Sequence, residues 1–257
     1  MRVINWNVSY TGSIENKIKF LQTYLTPKDC CVILQEVKPH AYEYIKQLFI
    51  DDYKMFYSLD YRKPSKFDSD ARKLGVLILV SNDIDIESTG IIERCPFPDR
   101  TMYATLRKFD KTVKVLALHS LTGCGYYKTK SVQYDSFAEF INEYRPDIIG
   151  IDANEPQIDH YDILKMIFFD NGLGAKSFFN ETIEIGLTDT YVRFYDTKDY
   201  VSGQPLTTSH YIRKKGAVRY DFLFTRKTYD VNYCLYNFDE AVASGSDHAI
   251  IVSELLF

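Results

Sequence analysis

The sequence contains no apolar stretch approaching the roughly 18 residues that a membrane-spanning helix requires, which excludes a helical membrane protein. Its opening residues, Met1-Arg2-Val3-Ile4-Asn5-Trp6-Asn7, turn polar too early for a secretory signal, so a cytoplasmic location is expected. Cysteine is present without pattern: Cys30 and Cys31 are adjacent, Cys95, Cys124 and Cys234 stand alone, and no C-x-x-C pair occurs. That argues against a disulfide framework and a zinc site, and for reduced thiols. No low-complexity segment, long linker or charge block divides the chain. Positive charge is not in excess either, with 31 basic against 35 acidic side chains and a net charge of -4. A protein that coats nucleic acid by bulk charge would be strongly basic, so only a local basic surface remains open.

With 46% hydrophobic residues the chain is too apolar for disorder, and its 257 residues suit one domain spanning 1–257. Apolar runs rich in β-branched and aromatic residues predict strands at Val3-Ile4, Cys31–Leu34, Lys73–Val80, Met102–Leu106, Val113–Leu118, Ile148–Ile151, Tyr220–Phe224 and Ile250–Leu255. Helical spacing links Ile14, Ile18, Leu21 and Leu25, then Glu43, Ile45, Leu48 and Phe49, and later Phe137, Phe140, Ile141 and Tyr144. Strands outnumber helices, which predicts an α+β or mixed-sheet α/β fold rather than a regular βαβ barrel. Charge is unevenly spread. The stretch 147–199 holds 11 carboxylates against four basic groups, whereas 205–227 holds six basic groups against Asp221. An acidic centre beside a basic rim suits metal-assisted phosphate chemistry.

The informative pattern lies where apolar strands end. Asn5 and Asn7 follow the first strand, Glu36 ends the second, His119 ends Val115–Leu118, and Asp152 and Asn154 end Ile148–Ile151. Asp221 sits within Tyr220–Phe224, and Ser246-Asp247-His248 precedes the last strand. One carboxylate after a strand is commonly a cap or turn former. Six polar groupings in the same kind of place predict one rim of a sheet, where sites are commonly built.

The ordered set Trp6-Asn7, Gln35-Glu36, Leu118-His119-Ser120, Asp152-Ala153-Asn154, Tyr220-Asp221 and Ser246-Asp247-His248 resembles the endonuclease/exonuclease/phosphatase superfamily, which includes the DNase I-like nucleases. The resemblance implies a four-layer sandwich of two mixed β-sheets packed face to face and flanked by helices. It also implies phosphoester hydrolysis with Mg²⁺ or Mn²⁺. By resemblance Glu36 is the principal metal ligand, with Asn7 beside it and Asp247 joining. Asp152 orients or activates the attacking water, and Asn154 contacts the phosphate. His248 sits against the scissile phosphate with Asp221 accepting its other ring N–H, and His119 assists the leaving alkoxide. Ile151 stands where the family's GD-x-N element has its glycine, a departure expected to be tolerated.

Departures select a branch. Ser9 stands where AP endonucleases carry an acidic residue, and His119 where they carry a tyrosine. The paired histidines instead resemble DNase I-like nucleases, in which the first histidine has a carboxylate partner earlier in the chain; Asp68 and Asp70 are candidates. Arg100 matches a phosphate-contacting arginine of such nucleases. Gly123, Gly125, Tyr126, Tyr127, Lys128 and Lys130 form an aromatic and basic loop after His119, and with Arg213, Lys214 and Lys215 they are expected to flank the site and grip a nucleic-acid backbone. His210, inside the basic stretch, is worth attention. The expected activity is a metal-dependent nuclease acting on DNA. The alternatives are a phosphatase or phosphodiesterase acting on a small molecule, and a non-catalytic binding protein of the same fold.

Overall fold

The computed structural model describes residues 1–64, 66, 69, 73–108, 110–123, 127–169, 173–197 and 199–257. In chain order the strands are β1 (Arg2–Asn7), β2 (Cys30–Val37), β3 (Tyr53–Tyr57), β4 (Gly75–Ser81), β5 (Asp85–Gly90), β6 (Thr101–Lys108), β7 (Lys111–His119), β8 (Ile148–Asp152), β9 (Leu187–Asp189), β10 (His210–Ile212), β11 (Gly216–Val218), β12 (Asp221–Arg226), β13 (Asp230–Asn237) and β14 (Ile250–Leu256). The helices are α1 (Ile14–Gln22), α2 (Pro39–Phe49), α3 (Ser58–Tyr61), α4 (Tyr127–Tyr144), α5 (Gly174–Glu184), α6 (Thr190–Phe194) and α7 (Phe238–Ser244). Among the described residues no helix is long and apolar enough to cross a membrane.

Two six-stranded sheets run β13-β14-β1-β2-β4-β3 and β5-β6-β7-β8-β12-β9, and β10 pairs with β11 in a separate hairpin. Each large sheet has one parallel pair, β1–β2 and β7–β8, bridged by helices α1 and α4; the other pairings are antiparallel. Strand alternation explains the layers. In β2 the side chains of Val32 and Leu34 pack under α1 and α2, while Cys31 and Ile33 face the second sheet. In β8 Ile149 and Ile151 pack under α4 and α5, and Ile148 faces inward. Burying both faces is why these central strands read as unbroken apolar runs. The result is the expected four-layer α/β sandwich of helices, sheet, sheet and helices.

Two boundaries differ from the sequence pattern. The strand expected from Lys73 begins at Gly75, and Leu25 lies beyond the end of α1 while still packing on the core. The described cysteines, Cys30, Cys31, Cys95 and Cys234, are unpaired and buried. Burial pushes their thiols up, to about 12 for Cys95 and about 11 for Cys234, so they act as small apolar side chains.

Candidate active site

The inner face of the sandwich turns polar at one rim. Alternation points Asn5 and Asn7 of β1, Gln35 of β2, His119 of β7, Asp152 of β8 and Asp221 of β12 into the seam between the sheets, and all are buried. Asn5 stitches the seam: its Oδ1 accepts from Gln35 Nε2 at 2.7 Å, and its Nδ2 donates to Phe222 O at 3.2 Å. Gly150 lies opposite, where a Cβ would stand 2.5 Å from Asn5 Oδ1. Ile151, next along β8, points to the outer helices, which explains why a bulky side chain is accommodated there.

Glu36 should by alternation face outward with Leu34. Instead the β2–β4 register slips between Leu34 and Val37, and Glu36 adopts a left-handed φ of 59°. A bulge of this kind re-aims a side chain at a sheet rim. It brings Glu36 Oε1 to 3.5 Å from His119 Nε2, while Tyr10 N donates to Glu36 Oε2 at 3.0 Å. Beside it Asn7 joins the two sheets, donating from Nδ2 to Asp152 Oδ2 at 2.8 Å and accepting from Ser9 N at 2.8 Å. Asn154 is a second left-handed residue, at φ 49°. Its N–H donates to Asp152 Oδ1 at 3.1 Å and its side-chain amide to Ser120 O at 3.1 Å. Non-glycine residues in this conformation cost of order 1–3 kcal/mol and tend to cluster at functional sites.

His248 and Asp221 form the pair expected from the sequence, with Nδ1 at 2.9 Å from Asp221 Oδ2. The histidine backbone is fixed as well: its O accepts from Trp6 Nε1 at 3.0 Å, and its N donates to Ser246 Oγ, which itself donates to Asn7 O. Ser209, at the base of the β10–β11 hairpin, accepts through Oγ from the N–H groups of Tyr220 and Asp221, and its carbonyl accepts from Ala249 N. The neighbouring His210 ring stacks on His248 with centroids 4.4 Å apart and places Nδ1 at 2.8 Å from Asp247 O.

Electrostatics separate the two histidines. Burial alone would lower the His248 pKa, but the carboxylates of Asp221, Asp152 and Asp247 push it up to about 10. Burial, then the guanidinium of Arg100, then His248 hold His119 well below the ordinary imidazole value, so it is neutral. Burial also raises Asp152, to about 7, with Asp221 and Glu36 adding to the rise and His248 and Asn7 opposing it. At Asp247 burial is outweighed by His248, Ser9 and His210, which keep its carboxyl below the usual range.

Most residues expected in the site meet there. Ligand atoms lie within 4.8 Å of one another in three linked groups: Glu36, His119 and Asp152; Asp152, Asp221 and His248; His210, Asp247 and His248. Asp247 groups with His210 and His248. Arg100 is buried, with Nη1 3.0 Å from both ring nitrogens of His119. Arg213 and Lys214 are exposed at the tip of the β10–β11 hairpin, and Lys128 is exposed on the first turn of α4. Tyr126, Gly125, Asp68 and Asp70 lie outside the described residues. Lys130 is a correction: it belongs to α4 rather than to a surface loop and is 1% exposed. Its spacing with Tyr134, Phe137 and Ile141 places it on the buried face of that helix. Lys17, on the buried face of α1 with Ile14, Ile18 and Leu21, was legible in the same way and was missed. Both lysines reach the loops of the site.

The donor set suits a hard divalent cation. Glu36 brings a carboxylate to the rim beside the amide of Asn7, and a cation held by one or two carboxylates matches the habits of Mg²⁺. Asp221 Oδ1 is buried without a hydrogen-bond partner among the described residues, and the Asp152 carboxyl is raised partly by two neighbouring carboxylates. Negative charge is thus under-compensated in this cleft.

No protein-family model matches the sequence, and no curated protein sequence does. Solved structures do match. D. rerio TDP2 complexed with single strand DNA product has a TM-score of 0.65 at 15% identity, covering 100% of this chain and 99% of that one. The human Nocturnin catalytic domain with bound sulfate anion has a TM-score of 0.69 at 14% identity, covering 100% and 94%. An endonuclease/exonuclease/phosphatase family protein from Bacteroides thetaiotaomicron has a TM-score of 0.63 at 15% identity, covering 100% and 97%. The chain shares the fold of these proteins, two six-stranded sheets packed face to face and flanked by helices.

Proposed function

We propose that this chain is a divalent-metal-dependent phosphodiesterase, a nuclease that hydrolyses DNA by in-line attack of water on phosphorus. The observation that carries the reading is the meeting of Glu36, Asn7, His119, Asp152, Asn154 and the Asp221–His248 pair at one rim, delivered by both sheets. Glu36 and Asn7 would hold Mg²⁺ or Mn²⁺, which supplies Lewis-acid stabilisation of phosphoryl charge when bound.

The remaining work falls to the protein's own groups. Asp152, fixed by Asn7 and by the Asn154 N–H, accepts the proton of the attacking water. His248, oriented through Nδ1 by Asp221, donates from Nε2 to a non-bridging oxygen, and Asn154 supports the same charge. Neutral His119, backed by Arg100, donates a hydrogen bond to the leaving oxygen. Arg213 and Lys214 on the hairpin tip, with Lys128, meet the flanking DNA backbone. The fold similarity to a TDP2 structure holding single strand DNA product is in keeping with a nucleic-acid substrate. We place the activity in one domain of a cytoplasmic enzyme.

The test is cleavage of plasmid, linear and single-stranded DNA and of RNA with Mg²⁺ or Mn²⁺, alongside small phosphoesters, with Glu36→Gln and His248→Ala as controls. Metal-dependent DNA cleavage lost in both variants is expected. Intact nucleic acids would end the nuclease reading, and faster turnover of small phosphoesters would replace it with a phosphatase.

A further inference from the structure

Two ammonium groups are buried beside the site and take no part in the chemistry above. Lys17 and Lys130 are each 1% exposed, and burying an ammonium is costly unless its protons are bonded. Each is bonded to the turn that follows a site strand, Lys17 through two carbonyls and Lys130 through a carbonyl and a carboxylate. Lys17 Nζ donates to Ser9 O at 2.8 Å and to Thr11 O. Lys130 Nζ donates to Asn154 O at 2.8 Å and to Glu155 Oε1 at 2.8 Å. Ser9 and Asn154 are left-handed residues, at φ 52° and 49°, and each lies two positions beyond the last residue of a site strand. Each lysine comes from the helix that bridges the parallel pair of its own sheet.

The consequence for the site follows from what those turns hold. The turn at Ser9 presents Ser9 N to Asn7 Oδ1 and Tyr10 N to Glu36 Oε2. The turn at Asn154 presents its own N–H to Asp152 Oδ1 and its amide to Ser120 O. We infer that Lys17 and Lys130 are positioning residues, each pinning from behind a left-handed turn whose amides aim one half of the site. Lys17 sets Asn7 and Glu36; Lys130 sets Asp152 and Asn154. The inference rests on the reading of Glu36 and Asn7 as metal ligands and of Asp152 and Asn154 as groups acting on water and phosphate.

The two halves make different predictions for length-matched apolar variants. Groups that orient metal ligands typically contribute 10–100-fold in metal affinity or activity. Lys17→Met should therefore weaken Mn²⁺ binding, titrated by electron paramagnetic resonance, by about 10–100-fold. Lys130→Met should leave Mn²⁺ binding within about threefold of wild type and lower kcat by about 10–100-fold at saturating metal, with KM little changed. All measurements are made well below each variant's Tm, so that a purely structural contribution does not register. Lys17→Gln and Lys130→Gln, which keep a shorter donor, replace the Met variants if those fail to fold and should fall between them and wild type. A folded Lys17 variant with wild-type Mn²⁺ affinity, or a folded Lys130 variant with wild-type kcat, overturns the inference. Wild-type protein that binds no Mn²⁺, or binds it unchanged in Glu36→Gln, defeats the metal-ligand reading instead.

Discussion

Gly150→Ala puts the seam between the sheets to the test. The added Cβ would lie 2.5 Å from Asn5 Oδ1, 2.7 Å from Ile33 Cδ1 and 3.0 Å from Asn5 Cγ. The Ile33 methyl can swing aside. Asn5 cannot, because its amide is bonded to Gln35 on one side and Phe222 on the other. Overpacking of this kind costs about 1–3 kcal/mol, and loss of one amide hydrogen bond adds about 1 kcal/mol. Against this, alanine stiffens the unfolded chain and returns about 0.4–1 kcal/mol. The balance is a destabilisation of about 1–3 kcal/mol, and for a chain of this length each kcal/mol moves Tm by about 2–4 °C. Thermal unfolding followed by circular dichroism should show a Tm about 2–12 °C below wild type. Asn5→Ala in the same chain should relieve the clash, giving a favourable coupling of about 1 kcal/mol in a double-mutant cycle. A Gly150→Ala variant melting within 1 °C of wild type, about the precision of the scan, would show that the seam is not closed by the Asn5 contact.

Three further outcomes follow from the site. Glu36→Gln should retain the wild-type Tm within about 2 °C and lose about 10²–10³-fold in kcat on DNA; a fully active variant would remove Glu36 from the mechanism. In EDTA, the His248 contribution to stability is fully present below the unfolded imidazole pKa of about 6.5 and is lost as pH rises towards its folded value of about 10. Asp221→Asn should flatten that part of the Tm-against-pH curve, and an unchanged slope would contradict the pairing. Arg213→Ala with Lys214→Ala should lower the slope of log affinity against log salt by about 2 for duplex DNA. The same pair should leave turnover of a small phosphodiester unchanged; an unaltered salt slope would remove the hairpin tip from the DNA path.

The parts of this protein that were legible in its sequence are those where burial is two-sided or polarity is out of place. Central strands such as Cys30–Val37 and Ile148–Asp152 are covered on both faces, so they stand out as apolar runs. The edge strand Asp85–Gly90 is mostly exposed and reads as a loop, and Asp230–Asn237 hides its pairing behind Asp230, Asn232 and Asn237. The rim residues could be found because Glu36, His119 and Asp152 interrupt apolar surroundings. Their directions could not. Glu36 reaches the rim through a bulge that reverses its alternation, and Arg100 faces the ring of His119 instead of open solvent. Lys130 looked like part of a basic surface loop because its main acceptors, Asn154 O and Glu155, lie 24 and 25 positions away in sequence.

The strand orders of the two sheets have a consequence of symmetry. Reading β13-β14-β1-β2-β4-β3 against β5-β6-β7-β8-β12-β9, every neighbour relation is the same, with one parallel pair at the same place in each. Under that correspondence Asn7 answers to His119, and the bulge carrying Glu36 to the strand end carrying Asp152. The site thus resembles one built at the junction of two like subunits fused into one chain. Each half brings a carboxylate from its second central strand, and each has given the end of its first to a different chemistry, amide on one side and imidazole on the other. Neither half holds the whole set, so the site exists only while the two sheets keep their placement against each other.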